Sequence, residues 1–424
     1  MIAVHQCHCG RIRRRLRVEN VWSLFKDRQF RLFWIASVFS DMALITYFTV
    51  HGWLALQVSD SPLWVGITAG TGGLALTLFA VVGGVLSDRI TRRQLVLTTL
   101  TVRGLLGLTL AILILTDNIR LWHIIVASFA EGMVASAHVP TMMAMTMDIV
   151  GRERLLSATA ARFAGMTIVG IVAPLLAGAI VSRFDIGYAY VVIAACYGIA
   201  PFLILAMRKV AREPRERTTP LEDFKQGLAY VISDSRVRTL ILMIFVVEGF
   251  GWAHEAMMPV MARDVLDAGA SGLGYLLAAG SAGATVSSIV MSNVGEINRK
   301  SLLIVGGSLG FGLFLVVFSF VRWLPVSLAL IAAAYASVVM YETTVNTVLQ
   351  TSVPDSLRGR VLSFQAMMWG VSGLAGFHTG AIANAVGAPV AIAIGGAVVV
   401  VNAGWVLRKV ARFDAVQPEP ATEV

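Results

Sequence analysis

Two apolar runs, roughly Trp64 to Leu86 and Leu95 to Leu115, are separated by only a few charged residues. Each is about as long as the 20 residues a helix needs to cross a bilayer. In hydrocarbon a backbone satisfies its polar groups only as a helix or as a closed barrel, and a barrel would show short alternating strands. Such runs recur along the whole chain. Of its 424 residues 57% are hydrophobic and 14% charged, against about 25% charged in a soluble chain. The sequence therefore predicts an all-α polytopic membrane protein. Twelve spans are expected at about 32–56, 63–87, 94–116, 121–147, 157–182, 187–207, 238–261, 272–294, 301–321, 326–350, 361–384 and 389–407.

Lys and Arg sort by side. With both termini on one face, all but six of the 34 lie on that face. Arg120, Arg183, Arg263 and Arg322 fall on the other, and Arg103 and Arg162 within spans. This bias places both termini in the cytoplasm. It also accounts for the net charge of +9, so a nucleic-acid partner is not expected. The first long apolar run is read as a span and not as a cleavable signal.

The chain repeats. Asp27 and Arg31 precede the first span, and Asp234 and Arg238, 207 positions later, precede the seventh. Arg92, Arg93 and Leu95 match Arg299, Lys300 and Leu302 at the same offset. Arg154-Leu155-Leu156-Ser157 matches Arg360-Val361-Leu362-Ser363 at 206. Such an offset argues for two pseudo-symmetric six-helix halves. The expected organisation is a basic cytoplasmic segment 1–31, a half at 32–207, a cytoplasmic linker 208–237, a second half at 238–407 and a tail 408–424. In the linker Thr219-Pro220-Leu221-Glu222 reads as a capping box. Leu221, Phe224, Leu228 and Val231 then recur at helical spacing, predicting a short amphipathic surface helix.

The turn between the first two runs reads Gly83-Gly84-Val85-Leu86-Ser87-Asp88-Arg89-Ile90-Thr91-Arg92-Arg93. Arg89, Arg92 and Arg93 suit a helix C-terminus and the cytoplasmic side, whereas Asp88 is expected to dock on an arginine or on another helix N-terminus. An ordinary basic turn is the alternative. The stretch resembles the signature loop between helices 2 and 3 of the major facilitator superfamily, which runs Gly, any, Leu, small, Asp, Arg, any, Gly, Arg, then Lys or Arg. Thr91 replaces the second glycine. In the second half the loop has decayed, with Gly295 where Asp88 would stand. The resemblance implies that Gly84, Asp88, Arg89, Arg92 and Arg93 form a gating loop. It implies too that Asp88 closes the cytoplasmic side near the start of helix 11, after Arg358 and Arg360. The fifth span carries Gly170, Pro174 and Gly178, a partial match to the superfamily's antiporter motif. Close helix packing explains the same residues equally well. The run from Trp64 to Arg89 and the run from Gln350 to Val361 are similar to the enterobactin exporter and macrolide efflux branch.

Ionisable residues inside a bilayer are costly and mark functional candidates. The acids well inside spans are Asp41, Glu131, Glu248, Glu255 and Glu342. They fall on helices 1, 4, 7, 7 and 10, which the resemblance implies line a central cavity. Asp41 and Glu248 are 207 apart, and Glu248 and Glu255 share a helical face two turns apart. Arg103 on helix 3 should reach an acid. Asp41, tuned by a nearby arginine such as Arg103 and assisted by Glu248, Glu255 or Glu342, is the expected proton carrier, with Glu131 as the alternative carrier. His138, His254 and His378 are further titratable candidates, with hydrogen-bonded structural roles as the alternative. For the acids the alternative is a set of structural ion pairs. Trp252, Met257, Met258, Tyr341 and Trp369 supply apolar surface near them.

Other chemistries find little support. His5-Gln6-Cys7-His8-Cys9 carries soft-metal ligand types but no closed site, so no metal and no cofactor are expected. Gly306-Gly307-Ser308-Leu309-Gly310 matches a nucleophile elbow but lies in an apolar span without the strand that motif requires. No P-loop is present, and no enzyme is expected. The resemblance implies a secondary transporter in a bacterial inner or plasma membrane, acting as a monomer. It would couple proton entry to export of a small organic compound (a siderophore, antibiotic or other amphipathic metabolite) by alternating access. A proton-coupled importer or lipid transporter of the same fold is the alternative. A non-transporting sensor gains no support, since no sizeable soluble domain is present.

Overall fold

The computed structural model describes residues 21–208, 220–293 and 300–410. Twelve spanning helices, numbered α1–α12, fill them. In the first half α1 is Arg28–Ser59, α2 is Pro62–Arg89 and α3 is Arg92–Leu115. One continuous helical stretch, Leu121–Arg183, follows. Straight, its 63 residues would reach about 95 Å, three times a bilayer's hydrocarbon thickness. It bends back at Gly151, whose φ of 73° is open to glycine at little cost. This makes two spans, α4 (121–150) and α5 (152–183). Ile186–Leu205 is α6.

In the second half α7 is assembled from Ser235–Val246, a π turn at Val247–Gly251, His254–Val260 and a second π turn at Met261–Val265. Then come α8 (Gly269–Asn293), α9 (Lys300–Phe320), α10 (Leu324–Ser352), α11 (Asp355–Val386) and α12 (Ala388–Val410). The linker contributes a surface helix, Pro220–Ser233, with proline at its first position, packed against α11. Thr219 of the expected capping box lies outside the described residues, as do His5, Cys7, His8 and Cys9.

The helices outrun the apolar runs by a few residues. α1 starts at Arg28 and α7 at Ser235, earlier than hydropathy alone suggests. The reason is capping. Asp27 accepts from the Gln29 amide at 2.8 Å, and Asp234 accepts from Arg236 and Val237 at 2.8 and 3.0 Å, satisfying orphan N–H groups. These caps repeat across the halves in atomic detail. Arg31 donates to the Phe25 carbonyl at 3.3 Å and Arg238 to the Ile232 carbonyl at 2.6 Å. Asp60 and Asp267 close α1 and α7 in the left-handed conformation, both at φ 49°. All three pairs are 207 positions apart, so the duplication extends to backbone conformation.

The helix ends define two faces. The terminal face carries the start of α1 and the end of α12; the far face carries the turns 60–61, 116–120, 184–185, 266–268, 321–323 and 387. The halves meet along two seams of small residues. α2 lies on α11, where a Cβ on Gly73 would strike the Gly373 backbone at 2.6 Å. α5 lies on α8, where a Cβ on Gly178 would sit 2.7 Å from the Ala270 carbonyl and 3.2 Å from Gly274. Only the missing side chains let these backbones approach. At the far face Arg263 of α7 reaches Asp60 at 2.6 Å and the Leu56 carbonyl at 3.4 Å. Ser61 donates to Asn384 at 3.2 Å. The far face is thus held shut across the two halves.

Candidate functional site

Helix packing within the first half brings four titratable residues into the bilayer interior. Arg103 on α3 and Glu131 on α4 form an ion pair at 2.6 Å, with Arg103 only 2% exposed. The Arg103 guanidinium also lies 5.7 Å from the Tyr197 ring centroid on α6. Its Nε and Nη1 atoms are buried without a hydrogen-bond partner. The sequence requires an acid for Arg103 without naming it, and the structure supplies Glu131. Arg103 makes its close contact with Glu131 on the neighbouring helix, where direct carboxylate contact offsets the cost of burying it. Asp41 is half-buried and shows no ion pair or hydrogen bond among the described residues. The arginine acting most strongly on it is Arg162 of α5. Arg162 itself donates to Thr146 at 3.4 Å and rests over the Phe33 ring.

Around this pair runs a polar network, of which sequence reading named His138 and missed the other members. His51 contacts the Tyr190 hydroxyl through Nδ1 and Ser128 through Nε2, both at 2.7 Å. Tyr47 stacks on His51 at 4.3 Å. His138 meets Thr99 at 2.8 Å. The Tyr47 and Tyr197 hydroxyls are buried without partners. One signal was available. Tyr190 and Tyr197 are seven apart, as are Glu131 and His138, so each pair lines one helical face.

The second half is built differently. Glu248 sits in the first π turn of α7, a feature often found at functional sites, and Ser372 of α11 reaches it. Tyr335 of α10 donates to Glu255 at 2.6 Å, and Trp252 donates to Glu342 at 3.1 Å. Glu255 lies deep among protein atoms yet is exposed, the signature of a side chain lining a cavity. Glu248 and Glu342 are buried and half-buried. His254 is buried among Trp252, Phe311 and Tyr335, with Nδ1 on the Gly251 carbonyl at 2.7 Å. His378 packs on Phe250. A cavity of about 450 Å³ lies at the far face beside Arg263, lined also by Trp53, Gln57 and Asp185. It is two turns further along α7 than Glu255 and does not contain the acids. Among the described residues no group of His, Cys, Asp or Glu has the arrangement of a metal site.

The turn after α2 ties the first half together. Arg92 pairs with Asp148 at the end of α4 and donates to the Ala144 carbonyl at 2.8 Å. Arg93 donates to the last carbonyls of α6, Ile204 at 3.2 Å and Leu205 at 2.6 Å, a cation at a helix C-terminus. Arg89 ends α2 and is exposed. A Cβ on Gly84 would meet open space. Thr91 has φ −63°, so the turn needs no glycine there. The side chains of Asp88, Arg358 and Arg360 lie outside the described residues. Gly170, Pro174 and Gly178 face α8: a Cβ on Gly170 would lie 3.2 Å from Ser281 Oγ, and one on Gly274 would meet the Pro174 carbonyl.

Similarity to known proteins covers most of the chain. The family described as transmembrane secretion effector matches residues 19–423. The enterobactin exporter EntS of Escherichia coli O127:H6 is 26% identical over 312 residues, covering 72% of this chain and 73% of that protein. EntS of Shigella boydii serotype 18 matches to the same extent. In fold, the nucleoside transporter NupG superposes with TM-score 0.72 at 11% identity, over 90% of this chain and 99% of that one. A bacterial homologue of the human lysosomal transporter Spinster gives 0.70 at 13%, over 92% and 98%. The chain is a multi-pass membrane transporter and belongs to the transmembrane secretion effector family of the major facilitator superfamily.

Proposed function

We propose that this transporter is a proton-coupled exporter of a small, partly apolar organic compound, working by alternating access. The observation that carries the reading is the pair of buried charge centres in the first half, Arg103–Glu131 and Asp41 near Arg162. Charge in the bilayer interior is kept when it moves ions or protons. Asp41, lacking an ion pair, is free to take up and release a proton; Glu131, already paired, is less so. The second-half acids Glu248, Glu255 and Glu342 assist or meet substrate. Export, as against import, draws its support from the enterobactin exporters to which the chain is similar. In everted vesicles energised to an acidic interior, wild-type protein should take up the exported compound and release protons together. Uptake without proton movement contradicts the coupling, and transport only in right-side-out vesicles contradicts the direction.

Orientation follows from Lys and Arg: the terminal face is cytoplasmic. A single cysteine placed at position 215 is expected to resist impermeant maleimides added to intact cells and to react once the cells are opened. Ready labelling from outside would invert the topology.

Asp88 acts as a cytoplasmic latch, closing the terminal face when the far face opens. Arg92 and Arg93 hold the turn rigidly on α4 and α6, so Asp88 is presented on a firm base. Asp88→Asn should slow transport about tenfold, the worth of one charge-assisted hydrogen bond, while leaving thermal stability unchanged. Wild-type transport rates in that variant would remove the latch.

A further inference from the structure

The halves differ in how their buried charge is balanced. In the first, two acids, Asp41 and Glu131, face two arginines, Arg103 and Arg162. In the second, Glu248, Glu255 and Glu342 have no such counterpart, because Lys and Arg occur only toward the helix ends of α7–α12. The three carboxylates act on one another electrostatically. Two of them accept hydrogen bonds from aromatic donors, Trp252 to Glu342 and Tyr335 to Glu255. An ionised carboxylate is an acceptor only, so these donors suit a negatively charged site. Trp252, His254, Phe311 and Tyr335 stand ring against ring at 5.2 to 6.0 Å around it.

A second observation concerns Tyr341. It is 1% exposed, its hydroxyl has no hydrogen-bond partner among the described residues, and that hydroxyl lies within electrostatic reach of both Glu342 and Glu248. A buried hydroxyl left unpaired beside two carboxylates costs free energy.

We infer that this acid and aromatic pocket of α7 and α10 binds the positively charged group of an organic cation, the substrate class that best completes it. The carboxylates supply charge attraction, and Trp252, the half-buried ring of the cluster, attracts a cation through its quadrupole. Glu255, the exposed member, meets the ligand first; Glu342 and Glu248, with Tyr341, form the floor. The inference rests on the transport reading for its biological sense, yet binding is separable from movement.

The test uses two ions of one shape and opposite charge, tetraphenylphosphonium and tetraphenylborate, plus the smaller cation benzyltrimethylammonium. Titration calorimetry on the full-length purified chain, with empty micelles subtracted, measures binding. These cations carry no transferable proton, so their binding is not proton transfer in disguise. At least one cation should bind about tenfold or more tighter than tetraphenylborate. Glu255→Gln combined with Glu342→Gln should erase that preference, and Glu255→Asp should retain part of it. Thermal unfolding of each variant separates lost binding from lost folding, and Glu255→Gln alone, expected to lower the preference, decides the matter should the double variant unfold. Binding of neither cation, or tetraphenylborate binding as tightly, overturns the inference. Cation binding with no proton-linked transport would leave the site standing and remove the transport reading; proton-linked transport without cation binding would do the reverse.

Discussion

Asp41→Asn is expected to abolish proton-driven export while leaving substrate affinity within about tenfold of wild type. The asparagine is close in shape to aspartic acid and fixes the neutral state, so packing on α1 is preserved. What is lost is the ability to alternate between charged and neutral forms. In this structure Asp41 has no ion pair, and Arg162 is the arginine nearest in effect. A movement of α5 against α1 would change that influence and hence the proton affinity, linking protonation to one conformational equilibrium. Everted vesicles carrying a pH-sensitive dye report the effect: substrate should discharge the gradient with wild-type protein and not with Asp41→Asn. Unaltered proton release in the variant would move the carrier elsewhere. Glu131→Gln is the matching comparison and should retain proton release if Asp41 is the carrier.

Removing Glu131 as a charge should be the most damaging change to stability. Glu131→Met leaves the 2% exposed Arg103 guanidinium without its partner. Breaking one side of a buried ion pair costs about 3–5 kcal/mol, whereas replacing both partners by apolar groups is often close to neutral. The expected order in thermal unfolding is therefore wild type and Arg103→Met/Glu131→Met together, with Glu131→Met well below. A double variant as unstable as the sum of the two single changes would show that the pair contributes through packing and not through charge compensation.

Much of this architecture is legible in the sequence because membrane helices obey one-dimensional rules. Span length, the side preference of Lys and Arg, and the 207-residue offset need no knowledge of contacts. The offset reappears at Asp27 and Asp234, Arg31 and Arg238, Asp60 and Asp267, where it describes caps and backbone angles. Of the small-residue seams, the one at Gly170, Pro174 and Gly178 is legible as a packing motif, whereas the approach of Gly73 to Gly373 is set by tertiary packing. Partnerships across helices were harder to read. Nothing along the chain joins His51 to Tyr190 or Glu255 to Tyr335, since their spacing is set by tertiary packing. That Arg103 needs an acid follows from its place in a span, but which acid does not: packing of α3 on α4 selects Glu131. The π turns of α7 are invisible to hydropathy, yet one of them places Glu248.

The central claim is that protonation and alternating access share one equilibrium. Here the far face is closed by Arg263–Asp60 and by the seams of α2 with α11 and α5 with α8. Protonating Asp41 removes a charge from the bilayer interior, and the proposed coupling ties the protonated form to this arrangement, so acidification should populate far-face closure. Paired spin labels measure it directly without substrate. One pair, at the exposed far-face positions Asn118 and Arg322, reports far-face opening; another, at Arg152 and Gln350, reports the terminal face. As pH falls, the far-face distance should shorten while the terminal-face distance lengthens, and Asp41→Asn should remove the pH dependence of both. Distances that do not change reciprocally, or that respond to pH equally in the variant, would contradict the account.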